Sequence, residues 1–211
     1  MSSLARWGAV WAELGLAGDP ELHADLRLRY SEPRRAYHTL HHLMECLELF
    51  GETRHLARRP TEVELALWFH DAIYDPKRHD NEVRSAEWAR RELRKAGADE
   101  ATAGRVYDLV MVTRHEAEPE TSDQQLLSDI DLGILGARPS RFDEYERQIR
   151  EEYRHVPSPT FKAVRRQLLQ GFLARPRIYH TPWFHEQRER AARSNIERSL
   201  RQLSRWRLSP L

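Results

Sequence analysis

Apolar residues recur along this chain at intervals of three and four, and no segment sustains the alternation that a half-buried strand needs, so the pattern predicts an all-α fold. Leu4, Trp7, Trp11 and Leu14 mark an opening amphipathic helix. Asp19-Pro20 supplies a cap and a first-turn proline for a second, bearing Leu22, Leu26 and Tyr30. A third places Leu40, Leu43, Leu47 and Phe50 on its core stripe, with His38 and His42 on the same helix and Gly51 as its C-terminal cap. Thr61-Glu-Val-Glu64 has the form of a capping box, so a fourth helix is expected from about Thr61 through Leu65-Ala-Leu-Trp-Phe69 to a His70-Asp71 doublet at its end. Tyr74 to His79 then reads as a polar loop at the mouth of any site built on that doublet. Asp80 to Gly97 bounds a fifth helix, and a sixth spans about Glu100 to His115. After a helix carrying Asp129 and Asp131, Gly136 to Ser140 is a break. Phe142, Tyr145, Ile149 and Tyr153 mark the next helix, another lies between Pro157 and Pro176, and an arginine-rich one starts at Thr181-Pro182.

A length of 211 residues with 40% apolar content suits one well-buried core, and no repeat or linker interrupts it, so a single domain over residues 1–211 is expected. The net charge is +1 although 32% of residues are charged, which argues against nucleic acid or a membrane surface as an obligatory partner. It leaves room for a homo-oligomer. All but three of the 34 basic residues are arginine, the lysines being Lys77, Lys95 and Lys162; genomic base composition is sufficient reason for this bias. The lone cysteine, Cys46, sits in Leu43-Met-Glu-Cys-Leu47 and reads as a reduced, packed thiol of a cytoplasmic protein. No apolar stretch approaches the roughly 20 residues of a membrane-crossing helix, and Met1-Ser-Ser-Leu-Ala-Arg does not open like an export signal.

The candidate chemistry lies in His38-Thr-Leu-His41-His42, in His70-Asp71 and in Ser128-Asp129-Ile130-Asp131-Leu132, which together supply imidazoles and carboxylates in an order suited to a buried divalent ion. Residues four apart share a helix face, so His38 and His42 can reach one cavity while His41 points elsewhere. The apolar run before His70-Asp71 would carry a charged side chain inward, where it needs a partner. His42, His70, Asp71 and either Asp131 or Asp129 would give two nitrogens and two oxygens, a set for one six-coordinate Mn, Fe, Co, Ni or Mg ion rather than a closed zinc site. Asp129 and Asp131 are two apart, so one of them faces the ion and the other suits orientation of a ligand histidine.

This order resembles the HD superfamily of metal-dependent phosphohydrolases, named for the doublet. Tyr37-His38-Thr-Leu-His41-His42 is similar to the Tyr-His-Asn-x-x-His box of its cyclic-nucleotide phosphodiesterase branch, and Asp131-Leu132 to its last ligand box, although Thr39 stands where that box has Asn. Trp68 to Asp71, Asn81 to Ala86 and Asp129 to Gly136 resemble segments of uncharacterised bacterial HD-domain proteins. The similarity covers about residues 30 to 200. It implies a helical HD bundle and hydrolysis of a small phosphate ester, most simply a nucleotide, by water activated on the metal at the Asp71 centre, with Asp131 as fourth ligand and His38 as proton donor. His115 is open between a catalytic acid, a second-metal ligand and a helix end without chemistry. Arg34, Arg35, Lys77 and Arg78 are candidates for phosphate binding, and Glu82 for orienting water or substrate. A regulatory HD module that senses a nucleotide without turnover is the alternative.

Overall fold

The structure is a computed structural model and describes residues 3–205. Its helices are α1 (Ser3–Glu13), α2 (Pro20–Tyr30), α3 (Leu40–Thr53), α4 (Pro60–Phe69), α5 (Asn81–Ala96), α6 (Glu100–Met111), α7 (Ser122–Asp131), α8 (Pro139–Glu152), α9 (Ser158–Ala174) and α10 (Pro182–Arg205). No strand occurs among the described residues, so the fold is all-α, as the periodicity predicts. None of the described helices is long and apolar enough to cross a membrane. The chain divides into two compact units, Met1–Ile130 and Asp131–Leu211, and the division falls in the last turn of α7.

The first unit is built around α4. Every residue from Glu62 to Phe69 is buried, because a helix that is apolar on nearly all sides has no face to give to water. Helices α1, α3, α5 and α6 enclose it. Its two acidic residues are neutralised there: Glu62 accepts from Arg105 at 2.7 and 2.8 Å, and Glu64 from Arg6 at 2.6 Å. At the far end Trp7 of α1 packs edge-on against Trp68, ring centroids 5.4 Å apart, and Trp88 of α5 against Phe69 at 5.8 Å.

The capping box expected at Thr61 does not form, since the Thr61 hydroxyl donates instead to Glu13. The amides of Arg58 and Arg59, just before α4, donate to the Asp123 carboxylate at 2.7 and 3.0 Å. Asp123 lies in the first turn of α7, so one carboxylate ties the beginnings of the two helices together. Each helix has ten residues, about 15 Å.

Three local expectations change. His38 lies in the turn before α3, because Thr39 rather than an earlier residue caps that helix, its hydroxyl accepting from the His41 amide at 3.3 Å. Gly51 does not end α3, which continues to Thr53. Helix α6 stops at Met111, and His115 comes after a short 3-10 turn in the left-handed region at φ 54°, a conformation uncommon without glycine. Gly97, by contrast, caps α5 in the left-handed region at φ 99° as expected.

In the second unit Asp131 runs directly into a 3-10 turn, Leu132–Gly136, whose carbonyls are held by side chains. Tyr179 donates to Leu132 at 3.0 Å, Arg188 to Gly133 at 3.3 Å, and Asn195 to Leu135 and Ala137 at 2.9 and 2.8 Å. The turn lies so close to α10 that a Cβ on Gly136 would meet the Arg188 Cβ at 2.7 Å and its carbonyl oxygen at 2.9 Å. Arg193 and Arg198 of α10 also donate to main-chain carbonyls, of Leu173 and Arg175 and of Pro139. The arginine-rich helix is therefore partly a set of backbone ties rather than a wholly solvated face.

Asp123→Ala should lower stability by about 1–3 kcal/mol in urea unfolding, because two amides lose their acceptor, and Asp123→Asn should cost less. Gly136→Ala should also destabilise, by about 1–3 kcal/mol, since neither the α10 backbone nor the Arg188 Cβ can swing aside; thermal denaturation measures it.

Candidate metal centre

His42 and Cys46 lie one turn apart on α3 and share its buried face, which Phe50 continues one turn further on. His70 and Asp71 leave the end of α4, and Asp131 closes α7. Ligand atoms of His42, Cys46, His70 and Asp131 all lie within 4.8 Å of one another; the first three residues are buried and Asp131 half-buried. Asp71 adds a carboxylate oxygen 3.1 Å from His70 Nε2 and 3.4 Å from His42 Nε2. The two Nε2 atoms are themselves 3.1 Å apart.

This spacing fits a cation. Donor atoms about 2.1 Å from one ion lie about 3.0 Å apart at right angles and about 3.4 Å apart at a tetrahedral angle, which brackets the three separations found among His42, His70 and Asp71. The tautomer fits as well. His70 Nδ1 is 2.7 Å from the Leu67 carbonyl, which only accepts, so Nδ1 carries a proton and Nε2, 3.1 Å from the Asp71 carboxylate, is the nitrogen left for an ion to take. The buried His42, Cys46, His70 and Asp131 group could thus hold a metal ion.

Electrostatics keep the site's carboxylate charged. Burial disfavours ionised Asp71, but the His70 and His38 imidazoles and hydrogen bonds from His42 and His70 hold its carboxyl well below the usual range. Burial, with the Asp71 charge added, pushes the Tyr30 phenol well above its usual value. The neutral Tyr30 hydroxyl donates to the Trp68 carbonyl at 3.3 Å and accepts from the Asp71 amide at 3.2 Å, locking the peptide that presents the doublet.

Arg35 supplies the second lock. Its buried guanidinium donates to the carbonyls of His38 (2.9 Å), Asp71 (2.7 Å) and Ala72 (3.0 Å), and lies over the rings of Tyr30 and Tyr74. It joins the turn carrying His38 to the chain leaving α4.

The remaining candidates divide. His38, although outside α3, stacks on Tyr74 with ring centroids 4.2 Å apart and sits 5.8 Å from the His42 ring. Asp129 is fully buried and is not in the group that Asp131 joins. The His115 Nδ1 lies 3.5 Å from the buried Ser128 hydroxyl, outside that group. Arg34 is exposed and bound to Glu32, at 3.1 Å from Nε and 2.8 Å from Nη2. Arg78 is clamped in two bonds of 2.7 Å by Asp80, and Lys77 is exposed beside it. Glu82 is half-buried in the first turn of α5.

Sequence reasoning passes over Cys46 as a donor. Its signal is a spacing of four from His42, the same spacing that pairs His38 with His42 in the sequence although His38 lies ahead of the helix. Tyr30 and Tyr74 carry no local signal, and Arg35, which the sequence offers for phosphate, is instead buried on main-chain carbonyls, because its partners include segments about forty residues away. No protein-family model, curated protein or solved structure matches this chain.

Arg35→Met should retain the helical circular dichroism spectrum while weakening Mn²⁺ binding in calorimetry by roughly 10–100-fold, as expected for loss of a group that orients ligands. Unchanged affinity would mean that Arg35 does not position the site.

Proposed function

We propose that this chain is an HD-type metal-dependent phosphohydrolase acting on a small phosphate ester, most simply a nucleotide. The observation that carries the reading concerns four residues, His42, His70, Asp71 and Asp131: the two imidazoles fall in one group with Asp131, Asp71 lies against both imidazoles, and His38 sits beside His42. A divalent ion held by those four residues would lower the pKa of a water and draw charge from a phosphoryl oxygen.

The chain's own groups supply the rest. Asp71, held ionised, offers the charge a dication requires and an acceptor for a proton of a nearby water. His70 is fixed by Leu67 in the tautomer a ligand needs. His38, clamped between Tyr74 and the Arg35-bound turn, would give a proton to the departing alkoxide. Lys77 is an exposed cation on the loop leaving the doublet, whereas Arg34 and Arg78 would have to exchange Glu32 and Asp80 for a phosphate.

A non-hydrolytic nucleotide-sensing module is the second reading. It is favoured by one observation: Cys46 brings an extra protein donor to the cluster, which would leave less room for water.

Metal-stripped protein resupplied in turn with Mn²⁺, Co²⁺, Ni²⁺, Mg²⁺ or Fe²⁺ should release phosphate from nucleotides or simple phosphoesters, and His70→Ala should abolish that release. His38→Ala should keep the metal yet lose about 10²–10⁴-fold on esters with poor leaving groups, and less on activated aryl phosphates. Metal and nucleotide binding without phosphate release from any substrate would favour the sensor.

A further inference from the structure

We propose that Cys46 coordinates the metal as a thiolate, and that it makes the centre discriminate between zinc or cobalt and the harder manganese or magnesium. The inference rests on the metal reading above and concerns which donors take part. Cys46 Sγ is buried, 3.7 and 3.8 Å from the two nitrogens of His42, on the same face of α3 and one turn on. The group whose ligand atoms close to within 4.8 Å contains this sulfur and not Asp71.

Two donor sets therefore overlap. His42 and His70 are common to both; Asp131 groups with them and Cys46, and would have to serve the Asp71 set as well. The Asp71 set has two nitrogens and two oxygens, which suits Mg²⁺ or Mn²⁺ with waters completing the shell. The Cys46 set has two nitrogens, one oxygen and one sulfur, the composition of a tetrahedral zinc site with a longer bond, about 2.3 Å, to sulfur. As the sulfur–metal bond forms, the thiol gives its proton to solvent. A single cysteine thus lets one pocket hold soft and hard ions through different side chains, adding a thiolate to the donors that the sequence suggested.

The test uses the full chain and the metals alone. Titrating metal-free protein with Co²⁺ should produce a near-ultraviolet sulfur-to-cobalt charge-transfer band that saturates at one equivalent. Cys46→Ser and Cys46→Ala, with helical circular dichroism spectra like the parent, should lose the band. Both should bind Zn²⁺ at least about tenfold more weakly in competition with a chelator while Mn²⁺ affinity is retained. Asp71→Asn should do the reverse, weakening Mn²⁺ more than Zn²⁺. Stoichiometric Co²⁺ without the band, or unchanged Zn²⁺ affinity in both cysteine variants, would overturn the thiolate role while leaving the metal site standing. Failure of Co²⁺, Zn²⁺ and Mn²⁺ all to bind the parent chain would remove the metal reading itself, and this inference with it.

Discussion

The enclosure of α4 is the constraint on which the first unit depends. A ten-residue helix buried along eight consecutive residues has to be surrounded, and it delivers the next residues of the chain into the interior. Those residues are His70 and Asp71, an imidazole and a carboxylate. Ionised Asp71 in that position demands positive partners, and the nearest groups are the two imidazoles of His42 and His70. The cluster is thus a consequence of where α4 ends, and its electrostatics favour a cation.

Precision comes from ties that hold backbone rather than side chain. Arg35 and Tyr30 fix the peptides around His70-Asp71, and Tyr179, Arg188 and Asn195 hold the carbonyls of the turn that begins one residue after Asp131. Carbonyls at helix ends lack intrahelical donors, so a long side chain with several N–H groups meets several of them at once. Arginine fits that task, which gives part of the chain's arginine excess a structural purpose beyond base composition.

The donor set joins borderline and hard chemistry in one pocket. Carboxylates on two segments and a thiol on a third share the same pair of imidazoles, so the identity of the bound ion would decide which side chains engage. Such an arrangement would link metal choice directly to how much of a bound ion stays open to water, and hence to whether the proposed centre suits hydrolysis or binding.

The sequence by itself determined the all-α class, most helix positions, the Gly97 cap and the His42, His70 and Asp71 nucleus, because each comes from local periodicity, local capping or a short motif. It located Asp129 and Asp131 together but offered two orientations; only the tertiary structure put Asp131 rather than Asp129 into the His42 and His70 group. Tertiary structure also moved His38 off α3, replaced the Thr61 capping box with Asp123, and set the packed Cys46 thiol within reach of the candidate donors. These outcomes depend on groups separated by tens of residues, or on competition between a local bond and a distant one. Thr61 could cap its own helix in isolation, yet Glu13 and Asp123 offer carboxylate acceptors whose charge makes the stronger hydrogen bonds.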